Sequence, residues 1–299
     1  MNLQIKTSET TKGQTLDKNI KTLRDDLYHV LSTGEGWSKE ISEWVGELIS
    51  EITLKQMTPR DFSKSYLRMS NLGQPCDRKL WYSLQDWANE HKEKLAPYAK
   101  NKFLFGDLME AWTLGLIKAS GHKLEGLQDV MTINGICGSR GCVIDGMTAD
   151  VKSASTMAMT KFKNNGLIGN DPFGYLSQLS SYVAAGVDDP IVTNKTHGAF
   201  VAVDKQFGHV EVDIYDLSEW VERKPLEVEQ KKLMVKQKEP PDRAFEDVPD
   251  GKSGNRKLGT NCSYCEFKKV CWPDLKTYIY SSGPRYLTTV VREPKVFSE

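Results

Sequence analysis

Apolar residues recur at helical spacing in two early stretches, Asp17 to Leu31 and Trp37 to Ile52. In the second, Ile41, Trp44, Val45, Leu48 and Ile52 share one face. Thr58-Pro59 has the form of a further helix start, with Thr as cap and Pro at the first position. Pro75 to Tyr82 opens another helix. A longer one after Pro97 runs to about Ala119, with Gly121 where a stop is expected. It carries Phe103, Leu104, Leu108, Trp112, Leu116 and Ile117, with Glu110 among them.

The pattern then changes. Asp129 to Asn134 and Gly141 to Ser153 are rich in β-branched residues and glycine. Cys142 to Asp145, a turn at Gly146-Met147-Thr148, and Ala149 to Lys152 read as a tight hairpin. Pro172 to Ala185 returns to helix, Ala199–Val203 and His209–Ile214 read as strands turning at Gly208, and Asp216 to about Lys236 is a charged helix. Lys238 to Thr260, with its prolines, glycines and charges, reads as a linker, and Met1 to about Gly13 as a disordered start.

This order predicts an α/β fold, a mixed central sheet flanked by helices. Residues 1–69 form an N-terminal helical region, 70–236 the core, and 237–299 a linker, a cysteine loop and a tail. Hydrophobic residues at 39% and charged residues at 27% suit an ordinary globular chain. No apolar run is long enough to cross a bilayer and the first residues lack a signal core, so no membrane partner and a cytoplasmic location, bacterial or in a phage-infected host, are expected. Forty basic residues balance forty acidic ones, which argues against a protein that coats nucleic acid by bulk charge. It leaves room for an enzyme whose acidic site is offset by a basic rim.

The sharpest chemistry lies between Glu110 and Tyr182. Asp150 and Lys152 are two apart on a strand and leave the same face. The hairpin is expected to bring Asp145 beside Asp150, and a helix packed over the sheet to add Glu110. Three carboxylates, with the Val151 carbonyl between them, suit a hard cation such as Mg²⁺ or Mn²⁺. Lys152 is then placed to orient or deprotonate a water, or to offset charge on a phosphate. Taken singly, each has a plainer reading: a solvated strand pair, a turn-forming Asp, an exposed helix Glu and, for Gln178 and Tyr182, simple helix packing.

Gly106-x-x-x-Glu110 on a helix, Ile144-Asp145-Gly146, Asp150-Val151-Lys152-Ser153 and Gln178-x-x-x-Tyr182 together resemble the RecB-type branch of the PD-(D/E)XK nucleases. The resemblance implies a restriction-endonuclease-like core in which Glu110, Asp145 and Asp150 hold metal, Lys152 is catalytic, and Gln178 and Tyr182 face the DNA and the site. Many members of that branch carry His where this chain has Glu110; Glu occurs there in the lambda-exonuclease-like enzymes.

Cys262-x-x-Cys265 followed by Cys271 gives three thiolates from one short loop. With a fourth cysteine these fit either tetrahedral zinc or a [4Fe–4S] cluster. Cys76 is the favoured fourth because it starts a helix, where free backbone N–H groups stabilise a thiolate. Cys137 and Cys142 read as small buried hydrophobes. The string Cys76-Asp77-Arg78-Lys79-Leu80-Trp81-Tyr82 resembles the segment before the core in the CRISPR-associated iron–sulfur nucleases and AddB-type helicase–nucleases. That resemblance, over roughly Ser70 to Pro273, implies a [4Fe–4S] cluster on Cys76, Cys262, Cys265 and Cys271 that staples the ends of the core together, with zinc the less favoured occupant.

Lys64, Arg68, Arg78, Lys79, Lys161 and Lys163 are candidate phosphate contacts, and Trp81, Trp87 and Tyr175 candidate stacking platforms, although ordinary solvated charge and core packing explain them equally well. The expectation is a Mg²⁺- or Mn²⁺-dependent deoxyribonuclease, an exonuclease, acting in DNA recombination, repair or phage DNA processing, with DNA and a recombination or replication protein as partners. The rivals are a non-catalytic DNA-binding or adaptor protein on the same metal-stapled fold, and a redox sensor using Cys262 and Cys265.

Overall fold

The computed structural model describes residues 18–58, 65–94 and 97–298. The expected disordered start, the Pro59 helix position and Lys64 lie outside them. In chain order the elements are α1 (Leu23–Thr33), α2 (Lys39–Met57), α3 (Met69–Leu72), α4 (Asp77–Ser83), α5 (Ala88–His91) and α6 (Ala99–Ala119), then β1 (Leu124–Glu125), β2 (Val130–Ile133), β3 (Ile136–Ser139), β4 (Cys142–Ile144), β5 (Met147–Ala154) and α7 (Thr156–Met159). After these come α8 (Tyr175–Ala185), β6 (His197–Asp204), β7 (Val210–Asp216) and α9 (Ser218–Met234). The C-terminal part holds β8 (Asp247–Pro249), β9 (Arg256–Leu258), α10 (Thr260–Ser263), α11 (Lys268–Cys271), β10 (Lys276–Tyr280), β11 (Gly283–Thr289) and β12 (Phe297–Ser298).

The central sheet runs β1-β4-β5-β6-β7. Its one parallel pair is β5–β6; the other neighbours are antiparallel. Strand alternation sorts the side chains into two cores. Ala199, Val201 and Val203 of β6 join Met147, Ala149 and Val151 of β5 against α1, α2 and α6. Phe200 and Ala202 point the other way, with Ala154, onto Leu176, Leu179 and Val183 of α8. The result is helices on both faces of a mixed sheet, the α/β class expected. Asp150 and Lys152 fall on the α8 side of β5, opposite in sense to Ala149 and Val151.

The chain after Lys238 departs from expectation. Instead of a linker and an undefined tail, β8 to β12 form a second five-stranded sheet, ordered β12-β10-β11-β9-β8 and antiparallel throughout. The strands of its β8–β9 edge are only three residues long, too short for alternation to show in sequence. Arg256 clasps Asp247 at 2.6 Å, and Asn255 donates to Arg292 O while accepting from Val291 N and Arg292 N. Polar side chains thus hold an edge that sequence hydrophobicity does not reveal.

This C-terminal part is joined to α4 by an apolar junction. Phe267 is buried against Trp81, Tyr82 and Ala88, with Cys265, Val270 and Cys271 at the margin. The Tyr82 and Phe267 rings lie 5.8 Å apart. Trp81 Nε1 donates to Gln237 O, Arg78 Nη1 to Pro241 O, and Glu93 N to Glu266 O. Trp81 and Trp87 are therefore junction residues and not surface platforms. Phe267→Ala should lower unfolding free energy by about 3–5 kcal/mol, the cost of a large buried aromatic lost from a packed site, read as a lower urea midpoint; a variant as stable as the parent would mean the junction does not hold the two parts together.

Candidate functional site

The site begins with a turn. Asp145 and Gly146 both have positive φ, 49° and 79°, and register runs Ile144↔Met147, Val143↔Thr148, Cys142↔Ala149. This is a two-residue hairpin of the Asp-Gly kind, shorter than the expected Gly146-Met147-Thr148 turn. Gly146 is required: a side chain there would collide with the Thr193 hydroxyl, and Thr193 N and Asn194 N both donate to Gly146 O. The shorter turn shifts the register and corrects the expectation for Asp145. Its carboxylate does not sit beside Asp150; it sits in the turn, while Asp150 lies three residues beyond Met147, about 10 Å along the strand. There Asp145 accepts from Lys123 N at 3.0 Å and contacts His122 Nδ1 at 2.6 Å. His122 is itself buried, and its other ring nitrogen meets Asp26 at 3.0 Å. Asp145 is thus a hairpin anchor to α1.

Past Ala149, β4 no longer accompanies β5, although β6 pairs it to Ala154. Asp150 is the first residue beyond the β4 ladder. Opposite it stands Gly141, where a Cβ would press on Asp150 and on Ala149 O. Helix α6 crosses at this open edge. Gly106 lets it approach Ser153, whose hydroxyl would lie 3.2 Å from a Cβ at that position. One turn further along, Glu110 reaches the edge.

The electrostatics show which groups meet. Burial, joined by the charges of Asp150 and Asp107, pushes the Glu110 carboxyl up to about 7, against the pull of Lys152 and of Gln128. Gln128 Nε2 donates to Glu110 at 3.1 Å. Burial pulls the Lys152 ammonium down, yet Asp150 at 2.7 Å, with Tyr175 and Glu110, outweighs it, and the group stays above its ordinary value. Lys152 also lies 5.0 Å from the Tyr175 ring centre. Tyr182 is raised, chiefly by burial, and its hydroxyl is bonded by Gln178 while feeling both Asp150 and Lys152. Glu110, Asp150, Lys152, Gln178 and Tyr182 therefore converge, with Val151 buried between the strand pair; Asp145 stands apart. Sequence reading missed Gln128, Asp107 and the Lys152–Tyr175 contact. Gln128 occupies a left-handed loop position (φ 55°), a conformation without a pattern of its own in sequence.

The cysteines form a second cluster. Cys76 caps α4 as expected, its sulfur accepting from Lys79 N at 3.4 Å. Burial pushes the Cys262 thiol up to about 11, and Cys265, Cys271 and Cys76 all add to that rise. Cys265 is likewise raised, first by burial, with Cys76 contributing. Cys262 thus feels the other three, and Cys265 feels Cys76. Arg78 bonds Cys271, and Arg243 Nη2 donates to Cys271 O at 2.6 Å. Cys142 is buried in β4, whereas Cys137 is exposed in β3 near the Thr132 hydroxyl. Among the described residues no three His, Cys, Asp or Glu side chains stand as a ready-made metal cage.

Of the candidate phosphate contacts, Arg78 is committed to the junction, Lys163 to Glu211 at 2.6 Å, and Lys161 to Asn170.

No family model matches this chain, and no curated protein matches it. Among solved structures, the one titled "Crystal structure of SSO0001" aligns over 77% of this chain and 96% of its own, at 13% identity and a TM-score of 0.40. A likeness at that level carries no argument.

The two aspartates should separate cleanly. Asp145→Asn, which strips charge from a bond to buried His122, should cost about 3 kcal/mol of stability and leave Mn²⁺ binding intact by calorimetry. Asp150→Asn should abolish Mn²⁺ binding. Loss of Mn²⁺ in the Asp145 variant would return that residue to the site.

Proposed function

We propose that this chain is a divalent-metal-dependent DNA nuclease that hydrolyses phosphodiester bonds as an exonuclease, in recombination, repair or phage DNA processing. The observation that carries this reading is the meeting of Glu110, Asp150 and Lys152 at an open strand edge, with Gln178 and Tyr182 beside them. Two carboxylates are fewer than the three expected, but they suit Mg²⁺ or Mn²⁺. Such ions take one or two protein carboxylates and complete their shell with water and substrate phosphate. Glu110, raised first by burial and then by the charges of Asp150 and Asp107, supports the same fit, since a cation beside buried carboxylates stabilises their charged forms. When bound, the ion supplies Lewis-acid polarisation of the phosphate and acidifies a water.

The residues of the chain do the rest. Asp150 fixes the Lys152 ammonium by a 2.7 Å ion pair. Held charged, Lys152 suits offsetting the negative charge that grows on a phosphate under attack better than taking a proton from water. The Tyr182 hydroxyl, bonded by Gln178 and within the influence of Asp150 and Lys152, would offer a polar group to a phosphate or a water. Burial of Glu110 and Tyr175 around Lys152 lowers the local dielectric and strengthens each of these interactions.

Cys76, Cys262, Cys265 and Cys271 would hold the iron–sulfur cluster. The influence of Cys76, Cys265 and Cys271 on Cys262, with Arg78 and Lys79 nearby, suits the donor set and charge such a group needs. Its role in this reading is structural, closing the junction between α4 and the C-terminal part. The displacement of Asp145 favours one rival, a DNA-binding or adaptor protein that keeps the fold without cleavage.

Cleavage of end-labelled linear and circular DNA with Mn²⁺, with and without EDTA, decides between them. Linear DNA alone should be degraded, and EDTA should stop it. Lys152→Ala should slow cleavage about a hundred- to a thousandfold, as removal of a preorganised charge-stabilising group does, with DNA affinity retained; an undiminished rate would remove Lys152 from the chemistry. Anaerobically purified protein should carry iron and acid-labile sulfide, and Cys262→Ser should lose both; zinc in their place would reassign the cysteines.

A further inference from the structure

The second sheet borders a cleft of about 950 Å³, whose facing wall includes Glu93, Lys94, Tyr98 and Phe103. Its walls carry Tyr98, Phe103, Tyr264 and Tyr286. Tyr98 is 67% exposed, Phe103 50% and Tyr264 85%. Three large aromatic rings left in water around one cleft are unusual, since such side chains normally supply core. The same walls hold Lys94, Lys257, Lys268 and Arg285 against Glu93 and Glu266. Lys268 is neutralised by Glu93, and Glu266 meets Lys92 at 3.5 Å. Lys257 and Arg285 must share the single carboxylate of Asp250, at 3.2 and 2.9 Å. Lys94 has no ion-pair partner among the described residues. A chain of zero net charge therefore gathers a positive excess around three of its exposed aromatic rings.

The cleft is also aligned with the carboxylates. Phe103, Gly106 and Glu110 lie on one face of α6, three and four residues apart. Phe103 lines the cleft, and Glu110 stands two turns further on, about 10 Å along the helix. Gly106 places no side chain between them, and Asp107, the other residue of that ridge, is bonded by Gln56 Nε2 at 2.6 Å.

We propose that this cleft is a binding surface for a single strand of nucleic acid. The exposed rings stack on unpaired bases, Lys94, Lys257 and Arg285 hold phosphates, and the strand runs along α6 to the Glu110–Asp150 edge. Every base has a face that can stack, so such a surface takes a strand without reading its sequence, and a duplex, whose bases are already stacked, gains nothing from it. The proposal rests on the nuclease reading for its polymer, DNA, but not for its test.

Fluorescence anisotropy with a labelled oligodeoxynucleotide of about 16 nucleotides, in EDTA so that nothing is cleaved, reads binding alone. The holoprotein should bind the single strand more tightly than the matching duplex. Tyr264→Ala should weaken single-strand binding about tenfold, the loss of one stacked base, and leave duplex binding unchanged. Lys94→Gln should flatten the dependence of log affinity on log salt by about 0.7, one phosphate contact on a single strand. Both side chains are exposed, so an unchanged melting temperature verifies that each variant is folded. Single-strand affinity untouched by both changes, or a preference for duplex, overturns the proposal even if DNA is cleaved. Affinity lost as expected in a protein that cleaves nothing upholds it while ending the nuclease reading.

Discussion

The register between β4 and β5 is the constraint on which the rest of the site depends. Because strand side chains alternate, the length of the connecting turn decides which residue ends up opposite which. Here the turn is the two residues Asp145 and Gly146, both at positive φ. That choice ends the β4 ladder at Ala149, leaves the next residue without a strand on one side, and lets α6 close over the gap. A turn one residue longer would carry Asp150 and Lys152 through to the opposite core, where Ala149 and Val151 now pack. The clamp on Gly146 from residues 193 and 194, and the bond from Asp145 to His122, hold the turn from both sides.

The two charged groups at that edge constrain each other. Burial alone would discharge both Glu110 and Lys152. Asp150, bonded directly to the lysine, keeps the cation charged while adding to the pressure on Glu110. One carboxylate thus pushes its two neighbours in opposite senses. Tyr175 supports the same arrangement by presenting its ring to the ammonium, and Gln128 by donating to Glu110.

What sequence shows and what it hides follow from the range of the interactions. The long helices and paired strands were legible because burial on one face writes a period into ten or more residues: α2, α6, α8, β6 and β7 all lie close to their expected positions. The shared face of Asp150 and Lys152 was legible for a related reason, since residues two apart on a strand point the same way; Gln178 and Tyr182 were marked by the resemblance of their motif, because helical spacing alone fits packing equally well. Asp145 was misplaced because one residue of turn length has no periodic signature, and Asp-Gly serves equally as the end of a strand and as a turn. The second sheet was missed because its β8–β9 edge is built from three-residue strands held by Asn255 and the Arg256–Asp247 pair, which in sequence look like a polar connection.

The junction around Phe267 carries a consequence for how the molecule comes into being. Trp81, Tyr82 and Cys76 leave the ribosome well before Phe267 and Cys271, which follow about 190 residues later. Until then the indole and phenol rings of α4 have little beyond Trp87 and Ala88 to pack against, and Cys76 lacks the three sulfurs of the later loop. Translation therefore exposes a sticky, oxidisable patch until that later segment emerges, and a chaperone that shields this helix during elongation would protect the chain more than one acting after release.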